Sequence, residues 1–311
     1  MKFSRLVEVF KNLEETSSRN DMIDILAKLF RKATEENIDK ICYFVLGNIA
    51  AGYKDVKMGM GDEMVKTAIA FAADMDESEV EKEMRQVGDL GNVAYKLIGK
   101  RDKRFEGFLE TEDQPTIRDV HKGLMKIAEA EGSGSVELKE KTLASLLSTA
   151  SPEERVYIVR LAAGEMRLGV GDVTVLDGLA SAFLGSKEER PPLEHAYNVC
   201  SDIGYVAKVL VRSGLEGVKR IRIALNMPIR PMLAQRVSEM SMIMEKIGSD
   251  LVAAEEKFDG ERIQAHKNGD KVKLFSRRLS DVTDQFPEVV KSVREHAVSY
   301  THLTLPTKRI V

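Results

Sequence analysis

The chain has 311 residues, of which 43% are hydrophobic and 31% charged, and its formal net charge is −3. This length accommodates two domains with apolar cores, and the composition is that of an ordinary soluble globular protein. The longest apolar run, residues 41–52, is too short for a membrane span, and a glutamate interrupts the amino-terminal MKFSRLVEVF, so neither insertion nor export is expected. Cys42 and Cys200 have no disulfide or zinc spacing, which predicts two buried thiols in a reducing cytoplasm.

Positive charge is concentrated toward the carboxy-terminal end of the chain. Residues 1–204 carry 28 Lys and Arg against 37 Asp and Glu, whereas residues 257–311 carry 11 against 7. A polyanionic partner would therefore meet this end or local loops of the first domain, although a solvated basic linker explains the charge equally well. A basic stripe lies between these two regions of the sequence. It contains Lys208, Arg212, Lys219, Arg220, Arg222, Arg230 and Arg236.

The first 215 residues have the hydrophobic period of helices. The run NDMIDILAKLFRK is one example, and glycine, proline and polar clusters such as EGSGS and MRLGVGD separate such runs. In TASPEERVYIV, Pro152 occupies a position typical of the first helical turn. No internal repeat is evident. The sequence thus predicts an all-α domain over residues 1–215, followed by a basic linker over 216–227.

The pattern changes after Pro228, where short alternating segments at 255–258, 262–266 and 271–277 predict β-strands. The last two flank an Asn-Gly pair, which favours a hairpin turn, and residues 286–296 have the period of an amphipathic helix. The sequence therefore predicts the start of an α+β domain over residues 228–297.

Lys257 lies in the first of these strand-like segments and is followed by Phe258, Asp259 and Gly260. A lysine amine attacks phosphorus or carbonyl carbon only when it is deprotonated, which requires a pKa lowered by burial or by neighbouring cations. The glycine permits a tight turn beside a ligand, and the guanidinium of Arg262 can grip a phosphate. A K-x-D-G tetrapeptide alone is a weak signal because surface turns often contain these residues.

Three segments in the same order strengthen the interpretation. KFDGER with FSRR at residues 275–278 resembles motifs I and Ia of the covalent nucleotidyltransferases, and PIRPMLAQRV at 228–237 resembles the entry to their adenylation domain. GEMRLGVGDVTVLDGLASAF at 164–183 resembles a signature of the helical DNA-binding domain in ATP-dependent DNA ligases. The chain to about residue 297 is similar to the archaeal and eukaryotic type of these ligases, the archaeal form above all.

This resemblance implies ATP and Mg²⁺ as cofactors and nicked duplex DNA as the partner in replication, repair and recombination. Lys257 would attack the α-phosphorus of ATP, release pyrophosphate and retain AMP, which would pass to the 5′-phosphate at a nick. Glu255 would hold the adenine, and Arg262 and Arg277 would contact the nucleotide. The resemblance further implies a monomer and allows a sliding-clamp partner.

The same resemblance implies that the helical domain clamps duplex DNA through its backbone. Arg167, Gly169 and Gly171 suit this role because glycines let backbone N–H groups approach phosphates. Lys139 and Lys141, which follow the EGSGS loop, are weaker candidates of the same kind. Without the family resemblance, RLGVGD would be interpreted as a simple turn between helices.

The chain departs from the family pattern at its carboxy-terminal end. The metal-linked glutamate, the adenine-stacking aromatic residue and the oligonucleotide-binding barrel of the family have no counterpart here, and residues 298–311 are expected to be non-native. We therefore expect no metal ligand within this chain, and neither efficient adenylation nor nick sealing by it alone.

Two alternative functions remain open. One is a non-catalytic module that binds nicked duplex DNA, which salt-dependent DNA binding without adenylation would favour. The other is an RNA ligase or capping-type nucleotidyltransferase, which shares K-x-D-G but lacks the long helical domain.

Overall fold

The structure is a computed structural model that describes residues 1–102, 114–232, 236–249, 251, 253 and 259–297, without the side chains of residues 99–102. Two predicted site residues, Glu255 and Lys257, lie outside the described residues, as do the strand-like segment at 255–258 and the predicted tail at 298–311.

The chain forms two compact units. The first comprises Met1–Tyr197 and Ser201–Arg222, and the second comprises Asn198–Cys200 and the chain from Ile223 onward. The change from one unit to the other thus falls inside the predicted linker at 216–227. The predicted domain bounds themselves remain a prediction.

The first unit is helical, which confirms the predicted all-α domain. Its helix starts follow from local chemistry: at Ser151 a capping box with Glu154 precedes Pro152, which is the first helical residue as predicted. The helices in chain order are α1 (Phe3–Glu14), α2 (Arg19–Phe30), α3 (Ile38–Val45), α4 (Asp62–Ala73), α5 (Glu77–Val87), α6 (Leu90–Asp102), α7 (Ile117–Ala128), α8 (Ser135–Thr149), α9 (Pro152–Ala163), α10 (Asp172–Phe183), α11 (Pro191–Cys200) and α12 (Ile203–Val218).

Aromatic side chains form part of the core of the first unit. The ring of Phe3 packs edge-on against Phe10 and Phe44, with centroid distances of 6.5 and 6.0 Å. All three are fully buried, and such pairs add to the stabilisation that apolar burial gives. Helix α1 thereby joins α3 in one core.

Helix α10 is highly enclosed, since every residue from Thr174 to Ala180 is buried. The buried residues include a carboxylate, Asp177, whose side chain is only 4% exposed. It accepts a hydrogen bond of 2.7 Å from the Arg19 guanidinium on α2 and one of 3.0 Å from Arg190. The charge therefore remains buried because two cations from separate elements neutralise it.

We expect the Asp177→Ala variant to be destabilised by about 3 kcal/mol, because it removes the acceptor that joins two guanidiniums. For a unit of this size, that lowers the midpoint of thermal unfolding by roughly 6–12 °C. Asp24→Ala, which removes an exposed carboxylate on α2, is the matched control and should leave the midpoint unchanged. Equal midpoints for the two variants would show that the buried network contributes little.

The second unit contains a β-hairpin followed by a helix, as the sequence predicts. A short helix, α13 (Ser241–Ile247), comes first in the chain. Strands β1 (Ile263–Asn268) and β2 (Lys271–Ser276) then pair antiparallel, and α14 (Pro287–His296) packs against the hairpin core through Val289, Val290 and Val293. The two connecting residues are Gly269 and Asp270, so the turn lies one residue later than the predicted Asn-Gly pair.

Both cysteines are free and buried, which confirms the predicted buried thiols. Burial, with smaller contributions from Asp39 and Asp202, raises the pKa of the Cys42 thiol well above its usual range. Within the described part of the chain, no helix is long and apolar enough to cross a membrane.

Candidate nucleotide site and nucleic-acid interface

Two of the predicted nucleotide-binding residues lie at the same end of the hairpin. Ile263 pairs with Ser276 at this end; Arg262 directly precedes β1, and Arg277 directly follows β2 in a turn that the Leu279 N–H closes on the Ser276 carbonyl. Both side chains are exposed, and neither has an acidic partner among the residues that the structure describes. Each exposed guanidinium has the donor geometry that phosphate groups require.

The predicted entry segment is anchored to β1 by a side chain. The Gln264 amide oxygen accepts a hydrogen bond of 2.9 Å from the Ile229 N–H, and its nitrogen donates to the Ile229 carbonyl. Two residues along, His266 Nδ1 accepts from the Asn226 N–H at 2.9 Å. Burial lowers the pKa of His266, so the neutral ring retains the lone pair that this bond requires.

Asp259 and Gly260 lie exposed shortly before β1, so the hairpin begins where the K-x-D-G motif ends. Among the described residues, no three His, Cys, Asp or Glu side chains come together as a metal site. The exposed arginines thus supply donors for an anion, whereas the described residues supply no set of ligands for a metal ion.

In the first unit, three of the predicted nucleic-acid residues lie in the loop between α9 and α10. Arg167 is exposed without an acidic partner in the described part of the chain, and Gly169 has the left-handed φ of 68°. Gly171 is the N-cap of α10, which leaves the first amides of that helix uncapped by a side chain. The three residues thus share one loop at a helix start.

A second loop has the same construction, and the sequence analysis missed it. Residues 57–62 read K-M-G-M-G-D and residues 167–172 read R-L-G-V-G-D, a similarity shorter than the repeats considered in the sequence analysis. Gly59 has a φ of 56°, Gly61 is the N-cap, and Asp62 begins the 12-residue helix α4, just as Asp172 begins α10. Both loops have the same order of residue types: basic, apolar, Gly, apolar, Gly, Asp. This shared order is the sequence signal that could have identified the second loop.

The two loops lie in the same part of the first unit. A side chain at Gly47 would place its Cβ 3.0 Å from that of Met166, which directly precedes the first loop. Residues 47–52 and 55–61 line a cavity of about 540 Å³ together with residues 161–164 at the end of α9. The loop at residues 57–61 and the end of α9, which leads into the loop at 167–171, therefore border one cavity.

Lys139 and Lys141 are positioned differently from each other. The Lys139 side chain is buried, and its Nζ donates to the carbonyls of Met58 and Gly59 at 2.9 and 3.4 Å, so it holds the second loop. Lys141 is exposed and pairs with Glu137. Lys141 can therefore contact a partner at the protein surface, whereas Lys139 stabilises the loop at residues 57–61.

His121 holds the segment that precedes the second loop. Its Nε2 lies 2.8 Å from the Ile49 carbonyl. Burial lowers the pKa of His121, so the ring is neutral and donates its remaining N–H to this carbonyl. Two side chains from distant helices therefore fix the chain between α3 and α4.

Comparison with known protein families decides the identity of the chain. The family model for the DNA ligase N terminus matches residues 2–180, and the model for the ATP dependent DNA ligase domain matches residues 231–305. The chain belongs to the ATP-dependent DNA ligases. This membership confirms the resemblance that the three sequence motifs carried, in both the helical unit and the start of the adenylation domain.

Individual relatives support the same family assignment. A probable DNA ligase of Aquifex aeolicus is 42% identical over 295 residues, covering 95% of this chain and 49% of the relative. DNA ligase 2 of Thermofilum pendens is also 42% identical, with 94% and 49% coverage, and a DNA ligase of Sulfolobus acidocaldarius is 39% identical, with 94% and 50% coverage. The chain spans about half the length of the curated relatives it matches. The predicted archaeal form fits the relatives of Thermofilum pendens and Sulfolobus acidocaldarius.

Proposed function

We propose that the chain supplies the DNA-binding unit and the nucleophile-bearing part of an ATP-dependent ligase that seals nicks in duplex DNA. The observation that carries this proposal is the pair of free guanidiniums, Arg262 and Arg277, at the hairpin end that directly follows K-F-D-G. The alternative of an RNA ligase or capping enzyme is disfavoured because the matched relatives are named DNA ligases.

In this proposal, the Lys257 amine attacks the α-phosphorus of ATP and pyrophosphate leaves. Arg262 and Arg277 would neutralise charge on the nucleotide phosphates, and Glu255 would hold the adenine. Phosphoryl transfer requires little covalent chemistry from the protein, so these cations act by positioning and charge neutralisation. Mg²⁺, when bound, would supply further neutralisation of the phosphates, and we assign it no ligand.

The DNA contact in this proposal is made by the two glycine loops, residues 57–61 and 167–171. Their glycines leave the backbone amides accessible, and no side chain caps the starts of α4 and α10, although Asp62, Glu63 and Asp172 in the first turns offset part of the helix-start charge. Such contacts position a duplex without reading its sequence, which suits an enzyme that acts at any nick. Lys139 contributes by holding the second loop, and Arg167 and Lys141 contribute exposed charge. We further propose a cytoplasmic monomer, with a sliding clamp as a candidate partner.

The proposal is tested by incubating the purified chain with α-labelled ATP and Mg²⁺, followed by denaturing electrophoresis. A fusion of this chain to the carboxy-terminal half of the Thermofilum pendens relative is treated in parallel. We expect protein-bound label and sealing of nicked duplex from the fusion, and salt-dependent duplex binding without label from the chain alone.

Absence of label from a folded fusion would contradict the proposed nucleotidyl transfer. In that case, retained duplex binding would support the alternative of a non-catalytic DNA-binding module. Label on the 311-residue chain itself would support Lys257 as nucleophile and show that our expectation of inactivity was wrong.

A further inference from the structure

A second cavity, of about 590 Å³, lies where the amino terminus meets the start of α7. The chain is fixed there by backbone hydrogen bonds: the Phe3 N–H donates to the Pro115 carbonyl at 2.8 Å, and the Ile117 N–H donates to the Met1 carbonyl at 3.1 Å. Residues of the loop between α2 and α3 also line the cavity. Three separate segments of the first unit thus form one concave site.

Four cationic side chains from these segments line the cavity, namely Lys2, Arg5, Lys32 and Arg118. All four are exposed, and none has an acidic partner in the part of the chain that the structure describes. Glu36 is the one acidic residue in the described lining. Nearby, the carboxylate of Asp119 is already engaged by the N–H and hydroxyl of Thr116. The cavity therefore has a surplus of unneutralised positive charge.

Helix α1 adds to this positive potential. It begins at Phe3, directly beside the cavity, and has neither an acidic residue in its first turn nor a side-chain cap. No side chain therefore offsets the partial positive charge of this helix start, although the Phe3 N–H already donates to the Pro115 carbonyl. A concave surface lined by one sign of charge concentrates the field within it, so anions are attracted to this cavity more than to a flat surface.

The cavity between α9 and the second glycine loop provides a comparison. Its volume of about 540 Å³ is similar, but its charged lining residues, Asp55 and Lys57, form an ion pair of 3.3 Å. Unpaired cations are therefore a property of the amino-terminal cavity rather than of concave surfaces in this unit.

We infer that the amino-terminal cavity binds a compact anion with several phosphate groups, such as inorganic triphosphate. Guanidinium and ammonium groups are the side chains that bind phosphates, and four of them converge on a volume within the range of small-molecule sites. Phosphates of a nucleic-acid backbone have the same chemistry, but a cavity of this volume suits a compact anion better than an extended duplex. The site shares no residue with the proposed nucleotide and DNA contacts.

The experiment is calorimetric titration of the 311-residue chain with sodium triphosphate, and separately with a blunt duplex without a nick. The test variant combines Lys32→Gln with Arg118→Gln. The matched control combines Lys28→Gln on α2 with Lys126→Gln on α7, both exposed and outside the cavity lining, so that the change in net charge is identical. Because every substituted side chain is exposed, thermal unfolding should be equal in the two variants and the wild type.

We expect saturable triphosphate binding by the wild type, at least about tenfold weaker binding by the test variant, and unchanged binding by the control. Duplex binding should be equal in the test and control variants. The inference would be overturned if triphosphate does not bind the wild type saturably. It would also be overturned if triphosphate binding weakens equally in the test and control variants. It would also be overturned if the test variant loses duplex binding alone, since the cavity would then be a nucleic-acid contact.

Discussion

Replacement of Lys257 by alanine should abolish the covalent retention of AMP by the fusion protein. The amine is the only group proposed to form a bond to phosphorus, so no neighbouring side chain can replace it. Loss of a nucleophile typically lowers the rate by at least about a thousandfold, which places the label below detection. The measurement is protein-bound label from α-labelled ATP after denaturing electrophoresis, with Mg²⁺ present throughout.

Lys246→Ala is the control for this variant, because it removes an exposed lysine from α13 in the same unit. It should retain label as the unsubstituted fusion does. Sealing of a nick whose 5′-phosphate already carries AMP distinguishes the chemical step from folding, since that reaction needs no attack by Lys257. Persistent label on the Lys257→Ala protein would show that another residue is the nucleophile.

Valine at both Gly59 and Gly169 should produce the largest loss of duplex affinity among substitutions in the first unit. Both glycines have left-handed φ values, of 56° and 68°, where a β-branched residue is strained by roughly 1–3 kcal/mol. A Cβ at Gly59 would also lie 2.8 Å from Lys139 Nζ, so the ammonium that holds the loop must move. We expect affinity for nicked duplex to fall at least about tenfold, as measured by fluorescence anisotropy.

The control for these variants is Gly185→Val. Gly185 has a φ of 94° and open space at its Cβ position, so it tests left-handed strain outside both loops. Asparagine tolerates this backbone region, so Gly169→Asn should retain more affinity than Gly169→Val. If Gly185→Val weakens duplex binding as much as the double variant does, general destabilisation rather than loop geometry explains the loss.

The sequence was sufficient for features that depend on local pattern. The helical period of the first 215 residues and the alternation around Gly269 predicted the all-α unit and the hairpin, because these elements are fixed by neighbouring residues. The turn itself was displaced by one residue, since strand register also depends on which side chains enter the core with Leu274 and Val282.

Features that join distant segments could not be predicted in this way. Lys139 was a candidate for exposed contact, yet its ammonium is used by carbonyls about 80 residues earlier in the chain. Likewise, nothing near Asp177 indicates that Arg19 will neutralise it. The sequence does contain both copies of the glycine loop, but only their common backbone conformation shows that the similarity is structural.

The contact of Gln264 with the backbone of Ile229 has a consequence for how the sequence can change. A primary amide has the donor and acceptor of a peptide unit, so this one side chain pairs with both backbone groups of Ile229 as a second peptide unit would. The groups it recognises belong to the main chain and are the same for nearly every amino acid. Most substitutions at position 229 therefore preserve this contact. A carboxylate at position 264, by contrast, would lack the N–H donor and would repel the Ile229 carbonyl.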